Sequence, residues 1–340
     1  MRVGVLVSGG DCPGLNAAVR GAVLHGVEVH GHEYIGYLNG WQGVVENRFM
    51  KLDRRAVRGI SQLGGTILGS SRVSPIGDDG IGVDGLKAHM RDNGIDAFLL
   101  IGGNGTHTVG HILSEAGIPI VGLPKTIDND IVETDYTFGY DTAVSIATEA
   151  IDRLRTTGQS HRRCMVLEVM GRDAGWIALS SGIAGGAHTI LIPEFPETID
   201  QVAQWVAHVH GRGRSALVVV AEGFQLKGQD ATTVGVDHLG RPRYGGVAEV
   251  LAPMIEEETG IETRATVLGH VQRGGVPTAF DRVLATRVGI HGADALNNGQ
   301  FGKLVVSHGT SSELVPLETV AYRTKNVPEY RYAEMRRIFG

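Results

Sequence analysis

Cysteine is nearly absent: Cys12 and Cys164 are the only two, they lie far apart, and neither belongs to a Cys-x-x-Cys or Cys/His grouping. A disulfide framework and a cysteine zinc finger are therefore excluded, and both residues read as free thiols in a reducing compartment. Positive charge is not in excess either. The formal net charge is -6 with a pI near 6.2, and no run of lysine and arginine is interleaved with aromatics, which argues against nucleic acid as a partner. No stretch of 18 apolar residues occurs, and no charged segment with an apolar core precedes the strand-like run Arg2 to Val7. Neither a membrane span nor a secretory signal is expected, and the reading is a cytoplasmic protein.

What is abundant is glycine, with 50 residues in 340, about twice the usual frequency of roughly 7%. The glycines fall at the ends of apolar runs rather than in low-complexity tracts, the distribution of a phosphate-handling α/β protein. With 42% hydrophobic residues the chain is long enough for two cores.

Short β-branched runs at Val3 to Val7, Ala97 to Ile101, Ile118 to Leu123, Met165 to Val169, Ile190 to Ile192, Ala216 to Ala221 and Thr266 to Leu268 read as buried strands. Between them, Ala143, Val144, Ala147, Ile151 and Leu154 mark one helix face, and Val202, Trp205, Val206 and Val209 another. The expected fold is α/β, two doubly wound domains with mostly parallel sheets. The polar HLGRPRYGG segment, His238 to Gly246, reads as a hairpin or exposed insertion, and the tail after Val315 follows no period.

In such sheets ligands bind beyond the carboxyl ends of strands. Three glycine-rich or polar loops follow strands here: GGDCPG (Gly9 to Gly14), GGNGT (Gly102 to Thr106) and PKTIDND (Pro124 to Asp130). The first offers unobstructed backbone N–H groups before a helix starting near Leu15, although a plain tight turn would also use its glycines. In the second, Thr106 can cap the next helix or bond a nucleotide oxygen. Neither loop has GxGxxG spacing, and no clean acidic residue closes a second strand about 20 residues on, which argues against the competing reading of a dinucleotide-dependent oxidoreductase. PKTIDND combines Asp128 and Asp130 with Lys125 and Thr126, a carboxylate to accept a hydroxyl proton and a cation to hold phosphoryl oxygens. A solvated turn accounts for Asn129 and one aspartate but not for the set. Further on, Arg163, Met170-Gly171-Arg172, Glu222, Arg264, His270 and Arg273 cluster around strand ends, where arginine suits a sugar phosphate and also forms structural ion pairs.

GGDCPG, LGSSR ending at Arg72, GGNGT, PKTIDND, EVMGR, AEG and RATVLGHVQRGG, in that order, resemble blocks of the 6-phosphofructokinase family over nearly the whole chain, in its bacterial, actinobacterial-type ATP-using subgroup. The resemblance implies a phosphofructokinase fold with a phosphoryl-donor domain over residues 1–139 and about 272–322, and a sugar-phosphate domain over about 140–271 and 323–340. It implies transfer from ATP, with Mg2+, to the 1-hydroxyl of fructose 6-phosphate. Asp128 is then the base, assisted by Asp130, Thr126 and Arg172. Gly10, Arg72, Gly102, Gly103, Asn104, Gly105, Thr106 and Lys125 lie on the donor side, with Arg72 steadying developing charge. Thr126, Asp128, Met170, Gly171, Arg172, Glu222, His270 and Arg273 hold the sugar phosphate, and Arg163 and Arg264 reach it from a neighbouring subunit, so that a homo-oligomer, a tetramer, is expected.

Family members that use ATP commonly carry glycine at the positions of Gly105 and Lys125, and pyrophosphate users aspartate and lysine, so this chain has one of each. Gly105 leaves room for a nucleotide α-phosphate, and a flexible Lys125 swings aside; ATP is the expected donor and pyrophosphate the alternative. Asn104 stands where the family usually places a carboxylate near Mg2+ and keeps only a carbonyl oxygen, which lowers metal affinity and leaves a catalytically weak sugar-phosphate-binding regulator as another reading. Another ketose phosphate, such as sedoheptulose 7-phosphate, is an alternative acceptor. Arg20, Arg54, Arg212 and Arg214 resemble the family's effector-site arginines, while Leu24 replaces a further basic residue.

Overall fold

A computed structural model describes residues 1–78, 80–236 and 242–338. In chain order the elements are β1 (Arg2–Val7), α1 (Leu15–Glu28), β2 (Glu33–Tyr37), α2 (Trp41–Val45), β3 (Phe49–Leu52), α3 (Gly82–Asn93), β4 (Ala97–Gly102), α4 (Asn104–Glu115), β5 (Ile120–Pro124), α5 (Tyr140–His161), β6 (Cys164–Val169), α6 (Trp176–Ala184), β7 (Thr189–Leu191), α7 (Ile199–Gly211) and β8 (Leu217–Ala221). They continue with β9 (Thr233–Val236), β10 (Pro242–Tyr244), α8 (Val247–Thr259), β11 (Thr263–Val267), a 3-10 turn (Gly269–Arg273), α9 (Ala279–Asn297), β12 (Lys303–His308), β13 (Ser311–Pro316), α10 (Leu317–Val320) and α11 (Glu329–Arg336). The chain divides into a unit of Met1–Thr142 with Arg273–Thr324 and a second of Ala143–Gln272 with Lys325–Gly340.

The first unit carries a seven-stranded sheet in the order β13-β12-β5-β4-β1-β2-β3. Its five inner strands are parallel, and β3 and β13 close the two edges in antiparallel fashion. Every residue of β4 and β5 is buried, as expected for strands covered on both faces. Strand order reverses between β1 and β4, so the crevice at their carboxyl ends is the topological switch point. The loops after β1, β4 and β5, three neighbouring parallel strands, are the three motif-bearing loops.

The second unit is built on the parallel sheet β11-β6-β8-β7. Val166, Val218 and Val220 pack with Val202, Val206 and Val209 of α7 and with Ala248, Leu251 and Ile255 of α8. The apolar stripe marked in the sequence on α7 is thus the buried one, with Trp205 half-buried at its margin. Glu168 lies fully inside β6, and its carboxylate accepts the backbone N–H groups of Gly246 and Ala248, both at 3.0 Å, at the start of α8. A buried carboxylate is held there because it meets helix donors that have no intrahelical acceptor.

Strands β9 and β10 pair antiparallel and are largely exposed, in agreement with a hairpin; His238 to Arg241 of that segment lie outside the described residues. Among the described residues no helix is long and apolar enough to cross a membrane. Both thiols are free and buried, and burial pushes Cys164 up to about 12, so neither is a ready nucleophile at neutral pH.

Candidate active site

The three loops of the first unit are bonded to one another. Lys125 follows β5, and its backbone N–H donates to the carbonyl of Gly102 at the end of β4 (2.9 Å). Its side chain is buried and passes under the first loop, where Nζ donates to the carbonyls of Ser8 (3.1 Å) and Gly10 (2.5 Å). Burial lowers the pKa of this ammonium, with the nearby Cys12 thiol and Asp128 and Asp11 acting in the opposite direction. Lys125 therefore does not swing aside as a flexible surface lysine would; it is the tie between the β1 and β5 loops.

Thr106 also reaches the first loop, donating Oγ1 to the Ser8 carbonyl at 3.4 Å. It does not cap α4. That helix starts at Asn104 with Gly103 as its N-cap and no side-chain cap, so Thr106 is already inside the first turn. Leaving the N-terminal N–H groups without a side-chain acceptor is what an anion-binding helix start requires. A side chain at Gly105 would meet nothing within 4 Å, so the space before the helix is open there. Gly10 faces the guanidinium of Arg273, whose Nη1 lies 3.4 Å from the Asp11 carbonyl; this expected sugar-phosphate residue thus stands against the first loop, in the first unit. Arg72 follows Ser71, which bridges Ser8 in parallel fashion and accepts the N–H of Gly9 at 3.1 Å, so Arg72 is exposed beside the same loop.

PKTIDND is held from within. The Thr126 hydroxyl accepts the N–H of Asp128 (3.1 Å) and donates to Asp128 Oδ2 (3.2 Å), while Thr137 donates its hydroxyl to the Thr126 carbonyl (2.7 Å). Asn129 sits at φ 51° with Oδ1 accepting the Thr137 N–H at 3.0 Å, the left-handed geometry that asparagine tolerates. This fixes Asp128, which is only 7% exposed and whose Oδ1 is buried with no hydrogen-bond partner. Asn104 at the start of α4 donates Nδ2 to the Asp130 carbonyl (3.1 Å) and to Asp130 Oδ2 (2.9 Å). Its own Oδ1 is likewise buried without a partner. Two unsatisfied buried oxygens beside a second carboxylate suit a proton acceptor and a hard cation.

In the second unit the expected residues separate into two sets. Met170, Gly171 and Arg172 follow β6 and Glu222 follows β8, adjacent parallel strands. Arg172 is held at φ 54° by its N–H donating to Glu222 (3.0 Å), and Gly223 is required because a Cβ there would come within 2.1 Å of the Arg172 carbonyl. His270 is exposed on the 3-10 turn after β11, on the same side of the sheet. Arg163 and Arg264 lie at the opposite ends of β6 and β11, paired with Glu262: Arg163 Nε is 2.7 Å from its carboxylate, and Arg264 donates to it as well. Hydrogen bonding and charge from Arg163, then Arg264, hold Glu262 below the usual carboxylate range. A six-residue strand spans roughly 20 Å, so within one chain these two arginines do not join Arg172 and Glu222.

Gln272 carried no signal in the sequence beyond its place in RATVLGHVQRGG. It is fully buried, and its Oε1 accepts the backbone N–H of Met170 at 2.8 Å, fixing the turn after β6.

Of the four effector-type arginines, Arg20 and Arg54 line a cavity of about 570 Å³ with Leu24, Arg55, Val57 and Arg58. Arg212 and Arg214 belong to the second unit, exposed at the end of α7.

A family model described as phosphofructokinase matches residues 2–296. The chain is 51% identical to the ATP-dependent 6-phosphofructokinase 3 of Streptomyces coelicolor, over 98% of each chain, and 51% identical to the pyrophosphate–fructose 6-phosphate 1-phosphotransferase of Amycolatopsis methanolica, over 100% of each. Its fold is similar to the Pichia pastoris phosphofructokinase in the T-state, with a TM-score of 0.84 and 32% identity over 94% of this chain and 35% of that one.

Proposed function

Since the chain belongs to the phosphofructokinase family, we propose that it transfers a phosphoryl group from ATP to the 1-hydroxyl of fructose 6-phosphate, giving fructose 1,6-bisphosphate in the cytoplasm. The observation that carries the reading is the unpartnered, buried Oδ1 of Asp128 on a carboxylate oriented by Thr126. The hydroxyl proton passes to Asp128 as the O1–phosphorus bond forms, and the bond to the leaving ADP breaks; the carboxylate needs no further protein base. Asp130 and Thr126 position it. The N–H groups opening α4, with Arg72, take up the charge that develops on the transferred oxygens. Arg172, Glu222, Met170, Gly171 and His270 orient the sugar, and Arg163 and Arg264 complete that pocket from a neighbouring subunit of a homotetramer.

Asn104 Oδ1 and the Asp130 carboxylate would hold Mg2+, which when bound neutralises phosphate charge. The open space at Gly105 supports ATP as donor. A second reading, pyrophosphate as donor, is favoured by Lys125, whose charge lies under the first loop, and by the equal similarity to enzymes named for each donor. Arg20, Arg54, Arg55 and Arg58 make an anionic effector a further part of the proposal. Purified protein supplied with fructose 6-phosphate and either donor at matched Mg2+ tests the reading. Product with ATP, lost by a factor on the order of 10³ in Asp128→Asn with sugar phosphate still bound, supports it; turnover with pyrophosphate alone, or near-normal turnover of the variant, overturns it.

A further inference from the structure

Helices α1 and α9 lie side by side and run in the same direction. A Cβ on Gly21 would come within 2.5 Å of the Thr286 carbonyl, and one on Gly289 within 2.3 Å of the Ala18 carbonyl, so the two backbones are in close contact. Their carboxyl-terminal ends therefore emerge together, about 20 Å from the GGDCPG loop by the length of α1. At that end His25, in the last turn of α1, and His30, in the connection to β2, both direct Nε2 at one oxygen, Asp294 Oδ1 in the last turn of α9, at 2.6 and 2.8 Å. One ligating atom from each of the three residues lies within 4.8 Å of the other two.

We propose that His25, His30 and Asp294 form a zinc-binding site that fastens the end of α1 and the α1–β2 connection to α9. Two borderline imidazole nitrogens beside one carboxylate oxygen make a donor set that suits this ion better than Mg2+. Ligand atoms around a tetrahedral zinc stand roughly 3.3 Å apart, so the two histidine nitrogens, at 2.6 and 2.8 Å from the aspartate oxygen, need to move away from it by about 0.5–0.7 Å. The partial negative charge at the ends of two parallel helices adds to the attraction for a dication. His32 packs its ring 5.4 Å from that of His30. The side chains are 24%, 15% and 38% exposed, which leaves the fourth position to water and gives the ion a route in.

Chelator-treated protein titrated with Zn2+ by calorimetry, and with Co2+ by visible absorption, tests the assignment. The expected result is one equivalent per chain with a dissociation constant below about 1 µM, unaffected by excess Mg2+, with binding weakened at least about 100-fold in His25→Gln and in His30→Gln. Cobalt should give the intense visible bands of a four-coordinate site. Zinc should also raise the Tm of the parent protein but not of the variants, whose native fold is checked by circular dichroism. Absence of uptake at tens of micromolar Zn2+, or stoichiometric uptake unchanged in the His25→Gln/His30→Gln pair, would overturn the proposal, the second outcome by showing that other histidines bind the ion.

Discussion

Asn104 donates its side-chain amide to the Asp130 carboxylate at 2.9 Å and so occupies, with a neutral group, the place where a second carboxylate would face the first. The Asp130 Oδ2 oxygen thus has a partner without a cation, whereas two carboxylates at this distance repel until one is bound. Asn104→Asp is expected to lower the Tm by several degrees in chelator and to regain it in millimolar Mg2+. The Tm of the parent protein should respond to Mg2+ less, and the apparent Mg2+ affinity of the variant should rise roughly tenfold. Thermal melts of both proteins with and without the ion decide this.

Lys125 anchors the first loop through the carbonyls of Ser8 and Gly10. Lys125→Met keeps most of the apolar stem but leaves two carbonyls without their donor, a cost of about 1–3 kcal/mol for each group that stays buried. Loop order is then lost for either donor, so kcat/KM is expected to fall by a similar factor, on the order of 10 to 100, with ATP and with pyrophosphate. A loss confined to pyrophosphate would show that the lysine acts on the donor directly and not through the loop.

Much of the fold is legible in the sequence. All seven runs read as buried strands fall on strands, and six of them are buried, because parallel strands covered on both faces leave continuous apolar runs in the sequence; the seventh, Thr266 to Leu268, falls on the edge strand β11, where Val267 is exposed. The strands that escaped notice lack that signature: β2 is interrupted by Gly36, β13 alternates in exposure as an edge strand does, and β12 offers only Leu304, Val305 and Val306 as an apolar run. The convergence of the three loops followed from their strands being neighbours around a switch point. The state of Lys125 did not, since a lysine's burial depends on carbonyls more than a hundred residues away in the chain. Nor did the role of Gln272, a buried polar residue whose acceptor function appears only when β6 and the turn after β11 are side by side. Arg163 reads from the sequence as the start of a strand and Met170-Gly171-Arg172 as its end, and β6 lies between them.

Gly105 is the second residue of α4 and faces open space. Gly105→Asp therefore fits sterically, and an acidic residue in the first turn favours the helix by about 0.5 kcal/mol. The same carboxylate intrudes on the volume proposed for the nucleotide. The expected outcome is a KM for ATP raised at least about tenfold, with Tm unchanged or slightly higher and pyrophosphate use equal or better. Initial rates with both donors, alongside melts, test it; unchanged ATP kinetics would mean that the nucleotide does not pass this position.

Asp281 in the first turn of α9 accepts three hydrogen bonds, from the N–H of Gly139 (2.9 Å), the N–H of Thr142 (2.8 Å) and the Thr142 hydroxyl (2.5 Å), and so ties α9 to the start of α5. Burial nevertheless outweighs these bonds and, with a smaller contribution from Asp141, raises its pKa from 3.8 to about 6. The folded chain thus holds a proton there that the unfolded chain has released. The associated stability is complete below about pH 4 and is lost as pH rises through 6, a change on the order of 2–3 kcal/mol. Asp281→Asn removes the titration but also presents an amide to donors, so it should be the less stable protein at every pH. The difference between the two should narrow between pH 4.5 and 7 as the parent loses its proton, by roughly 2 kcal/mol. Urea unfolding of both proteins across that range, at matched chain concentration, measures the difference directly; a gap that stays constant or widens would place the ionised carboxylate, with its three donors, as the favoured form in the folded state.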